Sequence, residues 1–434
     1  MNWIILLDAV LLALLLVIGV PVPLCFAAAV LLLFLLGDFG SASFLVSAGF
    51  SQASSVVLLA IPLYIIAGNI MSQGGIATRL VDFAESIVGR FRGGLGIVVV
   101  LTTAVFGAIS GMASSAVAAI GSTMIPRMVE RGYDRGYAAS LVACSAVLAL
   151  MIPPSASMIL YGWVSGTSIT AAFLAPVLPA LILIVLFCFW NWVLTRRMPL
   201  HTEAPLPAEQ WVKHVAQRGR RASLGLLMPI IILGCIYGGI TTPTEAAAIA
   251  VVYAVPVSVL IYRELGWKGL YTQLWKAGQV TGVLLILVFF ASMLARMFTM
   301  QSVPQLLLVG FTTVSDNPII LLLMVNAFLM LIGMFMDDAS GILLATPMLM
   351  PIMHKLGIDP VHFAAIIATN LGMGLITPPT APILYLGALV GKTPLSGMLK
   401  PTMVFLLFAY LPVVLLTTFF PALSLTLPRL LLGG

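Results

Sequence analysis

Apolar residues fill most of this chain, and the positions that interrupt them define its elements. Runs at 3–20, 24–37, 55–72, 171–195, 224–240, 245–262, 279–299 and 402–420 lie near the length at which a helix crosses a bilayer. Gly19-Val20-Pro21-Val22-Pro23 separates the first two, and Gly37-Asp38 closes the second. Gly75 to Arg92 is different: it carries Arg79, Asp82, Glu85, Arg90 and Arg92 among apolar positions, the pattern of a helix lying along the membrane surface. Gly93–Pro126 is rich in Gly, Ala and Ser and has basic residues at both ends. A segment that starts and ends on the same side is a re-entrant hairpin, with its tip at Ser110 to Ser115. Pro318–Pro351 gives a second, similar segment.

Two stretches of span length, 137–164 and 361–389, carry adjacent prolines, Pro153-Pro154 and Pro378-Pro379. Each pair removes two backbone donors and clashes with the preceding turn, and the residue before it is driven out of helical geometry. Each stretch is therefore predicted to be a broken helix with free carbonyls inside the membrane. Such backbone survives only where protein or a bound ion satisfies it. Broken helices at corresponding places in two halves mark the binding site of a secondary transporter.

Composition agrees. With 434 residues, 61% hydrophobic, 8% charged and a mean hydropathy of +1.16, a soluble globular fold is excluded. The excess of basic residues, 20 against 14 acids, sits in short loops, so it sets orientation and is not a nucleic-acid footprint. On this layout 17 of the 20 Lys and Arg lie on the cytoplasmic side; Lys355 and Arg429 lie outside and Arg296 is within a span. The polar stretch Arg196 to Arg221, with six Lys/Arg, is predicted to be a cytoplasmic loop between the halves. The cysteines Cys25, Cys144, Cys188 and Cys235 fall in apolar runs without metal or redox spacing and read as small buried hydrophobes. The first run lacks signal-peptide features and is expected to be a retained helix. No HExxH, phosphate-binding loop or zinc cluster is present, which leaves ATP hydrolysis and metalloprotease chemistry unsupported.

The chain is duplicated. Shifted by 225, residues 107–176 fall on 332–401 without a gap and 15 positions are identical. Among them are the breakers Pro126/Pro351, Gly132/Gly357, Asp134/Asp359, both Pro-Pro pairs, Gly162/Gly387 and Gly166/Gly391. An odd number of crossings separates equivalent residues, so the copies are upside down relative to each other. The expected fold class is an all-α polytopic membrane protein. It has an inverted repeat, two re-entrant hairpins and two broken helices. The first repeat is 1–195: helices 1–92, hairpin 93–126, broken helix 137–164. The second is 222–434: helices 222–317, hairpin 318–351, broken helix 361–389. The linker is 196–221.

Gly239-Ile-Thr-Thr-Pro-Thr-Glu-Ala-Ala-Ala248, Gly333-Met-Phe-Met-Asp-Asp-Ala-Ser340, Ile152-Pro-Pro-Ser155 and Ile376-Thr-Pro-Pro-Thr380 follow one another in an order that resembles the large membrane (M) subunit of tripartite ATP-independent periplasmic (TRAP) transporters. The resemblance covers essentially the full chain. It implies a multi-pass protein of the bacterial inner membrane that imports organic acids with sodium. It also implies an elevator mechanism, with helices 1–92 and 222–317 as scaffold and the hairpins and broken helices as transport parts. The implied partners are a small membrane (Q) subunit and a periplasmic substrate-binding protein. The family tends to have Gly where Ala149 stands here.

Sodium takes several oxygen ligands, and carbonyls freed at helix breaks supply them. A first ion site is expected at the Ser110–Ser115 tip, Ser114 included, with Ala149, Ile152 and Pro154. A second is expected at Gly333 with Gly374, Thr377 and Pro379. The 225 offset relates Ala149, Ile152 and Pro154 to Gly374, Thr377 and Pro379. Ser115, Ser145, Asp337, Ser340 and Asn370 are the candidate substrate contacts. Asp337 and Asp338 couple ion or substrate at the second tip, hold that hairpin in shape, or stand at an apex exposed to water. Ser145 and Asn370 either face substrate or bond between helices. Glu245 reads as a helix N-terminal acid. Arg296 either pairs a substrate carboxylate or snorkels to the interface. An aspartyl protease built on Asp337 and Asp338 is disfavoured, because neighbouring helical positions point about 100° apart. A passive channel and a carboxylate carrier working without a binding protein are the other readings.

Overall fold

The chain folds as helices throughout its described residues, 2–37, 41–201 and 207–433 of a computed structural model. In order these are α1 (Asn2–Ile18), α2 (Val22–Leu36), α3 (Ala42–Ala53), α4 (Ala60–Gln73), α5 (Ile76–Val88), α6 (Gly94–Ser110), α7 (Ala113–Glu130) and α8 (Arg135–Ala146). Then come α9 (Leu148–Met151), α10 (Ala156–Ser165), α11 (Ile169–Leu174), α12 (Val177–Thr195), α13 (Ala208–Tyr237), α14 (Pro243–Pro256) and α15 (Trp267–Met300). The rest are α16 (Val303–Val314), α17 (Pro318–Phe335), α18 (Asp338–Lys355), α19 (Pro360–Gly374), α20 (Pro382–Gly391), α21 (Leu395–Phe405), α22 (Leu411–Phe419) and α23 (Ala422–Leu432). Among the described residues seven stretches are long and apolar enough to cross a bilayer, and the bent pair around Pro153, counted as one span, makes an eighth. In each of the seven, half or more of the apolar window faces outward, as lipid contact requires.

The duplication holds to the level of single turns. Hairpin α6–α7 repeats as α17–α18, and broken helix α8–α10 repeats as α19–α20. Gly132 and Gly357 both take positive φ, 88° and 65°, to end the returning arm of each hairpin. Two residues on, Asp134 and Asp359 cap the next helix, their carboxylates accepting from the amides of Tyr137 at 2.9 Å and Val361 at 2.7 Å.

The copies interlock. α7 packs on α20 and, in mirror fashion, α18 packs on α10. Small residues permit this: a Cβ on Gly391 or Gly387 would lie 2.8 or 2.9 Å from the methyls of Ala139 and Ala143 on α8. Ser140 and Thr402 share a buried hydrogen bond of 2.7 Å between α8 and α21.

Several elements depart from the sequence reading. The predicted loop 196–221 is helical from Ala208, and its residues 202–206 lie outside the described residues. α13 runs 30 residues as an amphipathic arm that continues into a span. The arm lies on α5, with Trp211 Nε1 donating to Ser86 O at 2.9 Å and Arg218 close to Asp82. Arg127 of α7 also reaches Asp82, at 2.7 Å, and pairs with Glu85 at 2.9 Å. These half-exposed pairs are individually weak, but as a network they fix the surface helix against the first hairpin. α15 likewise starts before its predicted span, at Trp267, so Lys268 and Lys276 lie on the helix. α3 and α23 were not predicted. The final span is α21 and α22 joined through a π-helical turn at Leu406–Tyr410.

Glu245 sits where the sequence placed it. Thr242 and Glu245 form a reciprocal cap on α14, with Glu245 Oε2 accepting from Thr242 N at 2.8 Å and Thr242 Oγ1 accepting from Glu245 N at 3.3 Å. Thr242→Ala is expected to lower stability by about 1 kcal/mol. A fall in the thermal unfolding midpoint of purified protein checks this; an unchanged midpoint would remove the cap from the stability account.

Candidate functional site

Each hairpin meets a helix break through bare backbone. At the first break, α9 ends at Met151 and Ile152 turns extended, φ −97° and ψ 122°. With prolines at 153 and 154, the carbonyls of Ala149 and Leu150 lack the donor that a continuing helix would bring. The hairpin tip closes on this point. Ala156 N donates to Gly111 O at 3.3 Å, and a Cβ on Gly111 would lie 3.0 Å from Pro154 O. Gly111 has φ 65°, which only glycine adopts without strain, so the chain can reverse in two residues, Gly111 and Met112. One turn back, a Cβ on Gly107 would lie 2.7 Å from Ala149 Cα. Ala149 therefore stands against a glycine of the hairpin.

The second break repeats the contact with both partners glycine. A Cβ on Gly374 would lie 2.6 Å from Gly333 Cα, and one on Gly333 would lie 3.1 Å from Gly374 Cα. Thr377 N donates to Gly374 O at 2.9 Å, and Thr377 Oγ1 donates to Met373 O at 2.6 Å, leaving the hydroxyl's lone pairs free. Thr380 Oγ1 donates to Met334 O and ties the break to the hairpin. Both Pro-Pro bonds, Pro153-Pro154 and Pro378-Pro379, are cis.

The breaks are also neighbours of each other. The Tyr410 hydroxyl lies 3.7 Å from Met151 Sδ, and a Cβ on Gly372 would sit 2.3 Å from it. The Ser157 hydroxyl, just past the first break, donates to the Asp338 carboxylate at the second hairpin's tip.

The structure thus gathers Ser110, Ala149, Ile152 and Pro154 at one junction and Gly333, Gly374, Thr377 and Pro379 at the other. The first tip is narrower than 110–115. Ser110 is buried and its hydroxyl donates to Met112 O at 3.4 Å, whereas Ser114 and Ser115 lie in the first turn of α7, exposed and half-buried. Among the candidate substrate contacts, Asp337 caps α18: its carboxylate accepts from Ser340 N at 3.1 Å and from the Ser340 hydroxyl. Asn370 bonds between helices, its Nδ2 donating to Asn326 Oδ1 at 3.0 Å and to Ile366 O at 2.9 Å, with Asn326 bonded in turn to Thr418. The Ser145 hydroxyl is buried with no hydrogen-bond partner among the described residues.

Three residues escaped the sequence reading. Ser155 is buried at the first break with an unpartnered hydroxyl, and Thr380 occupies the equivalent place at the second. Their signal was available, since the repeat aligns Pro-Pro-Ser with Pro-Pro-Thr. Gly68 of α4 is the third: a Cβ there would lie 2.9 Å from Ser110 Cα, which puts α4 directly against the first tip. No periodicity marks that contact. Among the described residues no group of three His, Cys, Asp or Glu side chains could hold a metal ion.

The solved YdaH transporter of Alcanivorax borkumensis superposes with a TM-score of 0.59 at 16% identity, over 88% of this chain and 90% of that one. MtrF of Neisseria gonorrhoeae, described as belonging to a class of antimetabolite efflux pumps, superposes at 0.57 with 13% identity, over 86% and 83%. At such identities these show the fold. Sequence relatives are much nearer. The C4-dicarboxylate TRAP transporter large permease protein DctM of Pseudomonas aeruginosa is 36% identical over 88% of each chain. The sialic acid TRAP transporter large permease protein SiaM of Vibrio cholerae is 33% identical over 87% of each. The isethionate TRAP transporter permease protein DctMQ of Oleidesulfovibrio alaskensis is 33% identical over 95% of this chain and 64% of that one. These relatives are permease subunits, not enzymes. The family model for the DctM component of tripartite ATP-independent periplasmic transporters matches residues 9–423. The chain belongs to that family: it is a multi-pass large permease subunit of the bacterial inner membrane and works within a tripartite system that has a small membrane component and a periplasmic binding component.

Proposed function

We propose that this chain carries an organic acid inward with sodium, receiving it from a periplasmic binding protein and moving it by an elevator motion beside a separate small membrane subunit. The observation that carries the proposal is the pair of hairpin–break junctions. Each presses backbone on backbone and leaves oxygen acceptors where the helix is interrupted. At the first, the Ala149 and Leu150 carbonyls lack a turn donor and Ser155 has an unpartnered hydroxyl. At the second, Thr377 keeps free lone pairs beside Gly374. A desolvated cation with no charged cluster suits such a set. The elevator reading assigns α6–α10 and α17–α20 to the moving part and α1–α5 and α13–α16 to the scaffold. The acid is proposed because the relatives named above are permeases for C4-dicarboxylates, sialic acid and isethionate. All three carry a carboxylate or sulfonate.

Uptake into proteoliposomes, with the small subunit, candidate binding proteins and an imposed sodium gradient, tests this. Accumulation is expected only when both sodium and a binding protein are present. Accumulation without a binding protein would favour an autonomous carrier, and equilibration without sodium would favour a passive channel. Thr377→Ala and Ser110→Ala are each expected to raise the sodium concentration for half-maximal uptake by about tenfold, the loss of one charge-assisted ligand. Sodium curves that overlay wild type in both variants would take these hydroxyls out of the ion sites.

A further inference from the structure

A cavity of about 560 Å³ lies where α3 and α15 face α10 and α18. That volume falls within the range of small-molecule sites. One wall carries Phe44, Gln52, Ser292 and Arg296; the other carries Trp163 and Leu343. Arg296 is 20 residues beyond Lys276 on the same helix, a rise of about 30 Å, so on the orientation set by the basic loops it stands one bilayer thickness away from the lysines of the cytoplasmic side, at the outer boundary. Leu343 is only five residues from the tip of the second hairpin at Asp338. The cavity therefore extends from the outer surface toward that tip.

Arg296 is exposed to this cavity, with its guanidinium 5.6 Å from the centre of the Phe44 ring. Among the described residues no carboxylate lies within ion-pair distance of it. A snorkelling arginine reaches headgroups along a lipid-facing surface. Arg296 instead faces a second wall made by the other group of helices. An uncompensated cation at a narrow mouth with low-dielectric walls attracts anions, and a guanidinium fork matches a planar two-oxygen group. Gln52 and Ser292 beside it offer hydrogen bonds to a polar body.

We propose that Arg296 is the first anion contact of the transport path: it receives the carboxylate or sulfonate of the incoming acid in this outer cavity and so sets the requirement for a negatively charged substrate. The proposal rests on the acid-import reading above. Occupancy would bring the acid against both α15 and α10, the two sides that the elevator reading moves past each other.

The test uses Arg296→Cys in a chain with Cys188 and Cys235 replaced by alanine, reconstituted with its partners. Thiol modification by a methanethiosulfonate reagent is expected to be slowed at least threefold by at least one of succinate, N-acetylneuraminate and isethionate; protection by none of the three overturns the proposal. Uptake by Arg296→Cys and Arg296→Gln is expected to need at least tenfold more acid at saturating binding protein, with sodium half-saturation unchanged. An aminoethyl adduct, which restores a cation, should recover uptake, and a sulfonatoethyl adduct should not. Arg296→Lys should lie between wild type and Arg296→Gln. Equal recovery by both adducts overturns the proposal. So does a defect seen only in the concentration of binding protein required, which would make Arg296 a docking residue. Protection by added phosphatidylglycerol but by none of the acids would make it a lipid-headgroup contact. Should the variants fail to fold, phenylglyoxal labelling of wild-type Arg296, read by mass spectrometry, must show the same protection by acid. These protection assays need no sodium gradient, so they stand apart from failure of the coupled-uptake reading.

Discussion

Gly374→Val is expected to abolish uptake. The first carbon of any side chain at 374 would lie 2.6 Å from Gly333 Cα and carbonyl carbon and 2.8 Å from Met330 O. All three are backbone atoms of the second hairpin's descending arm, so no rotamer change relieves the overlap. Ordinary carbon contact requires the hairpin to retreat by about 1 Å. Over-packing of a side-chain core costs about 1–3 kcal/mol. Here the loss falls also on position, because the retreat pulls the hairpin off the oxygen set at the break. A misplacement of about 1 Å at a positioned site costs about 100-fold, so uptake at or below one-hundredth of wild type is expected. Gly282→Ala on α15 is the matched control. Nothing lies within 4 Å of its prospective Cβ. It should keep full uptake and gain about 0.5–1 kcal/mol of stability from the helix interior. Measured uptake by Gly374→Val close to that of Gly282→Ala would mean that the backbone contact is not part of the mechanism.

Breakers are local, and they set dihedral angles wherever they occur. Gly132 and Gly357, Asp134 and Asp359, and the two Pro-Pro pairs each do in the structure what residue chemistry dictates. The hairpin tips and helix breaks were therefore legible to within a few residues. Packing-dependent helices were not. α3 is too short for a span and only weakly apolar, and it is positioned by its seat on α15, where a Cβ on Gly49 would meet Met293 and Phe289. The arm of α13 reads as a polar loop until α5 supplies Ser86 and Asp82 for Trp211 and Arg218.

Side-chain roles followed the same division. Asp337 as a hairpin cap is an Asp-x-x-Ser pattern and is one of the readings the sequence leaves open; the structure shows its carboxylate engaged with Ser340. The fate of Asn370 depends on Asn326 and Thr418. Those partners come from helices that only the tertiary fold brings alongside, and no local pattern names them. Ser155 differs from both: it follows the two prolines directly and the 225 offset sets it on Thr380, so its place at the break is local, while its lack of a partner is a property of the packing around it.

Joining Gly68 to Ser110 by a disulfide is expected to stop transport completely and reversibly. The prospective Cβ of Gly68 lies 3.1 Å from Ser110 Cβ, a few tenths of an ångström inside the usual span between bridged Cβ atoms, about 3.5–4.5 Å. Gly68 belongs to α4, assigned here to the scaffold, and Ser110 to the first hairpin tip, assigned to the moving part. In an elevator these two must separate during each cycle, so oxidised Gly68→Cys/Ser110→Cys protein should show no uptake, and dithiothreitol should return it to the level of the reduced double variant. That comparison within one protein cancels any cost of losing the Ser110 hydroxyl. A second cysteine pair at Gly49 and Met293 joins α3 to α15 wholly inside the proposed scaffold, and oxidation there should leave uptake unchanged. The native thiols are not expected to interfere once Cys188 and Cys235 are replaced, because Cys25 and Cys144 are buried. Full uptake by the oxidised Gly68/Ser110 pair would show that α4 and the first hairpin travel as one body, and the division into scaffold and moving parts would have to be drawn elsewhere.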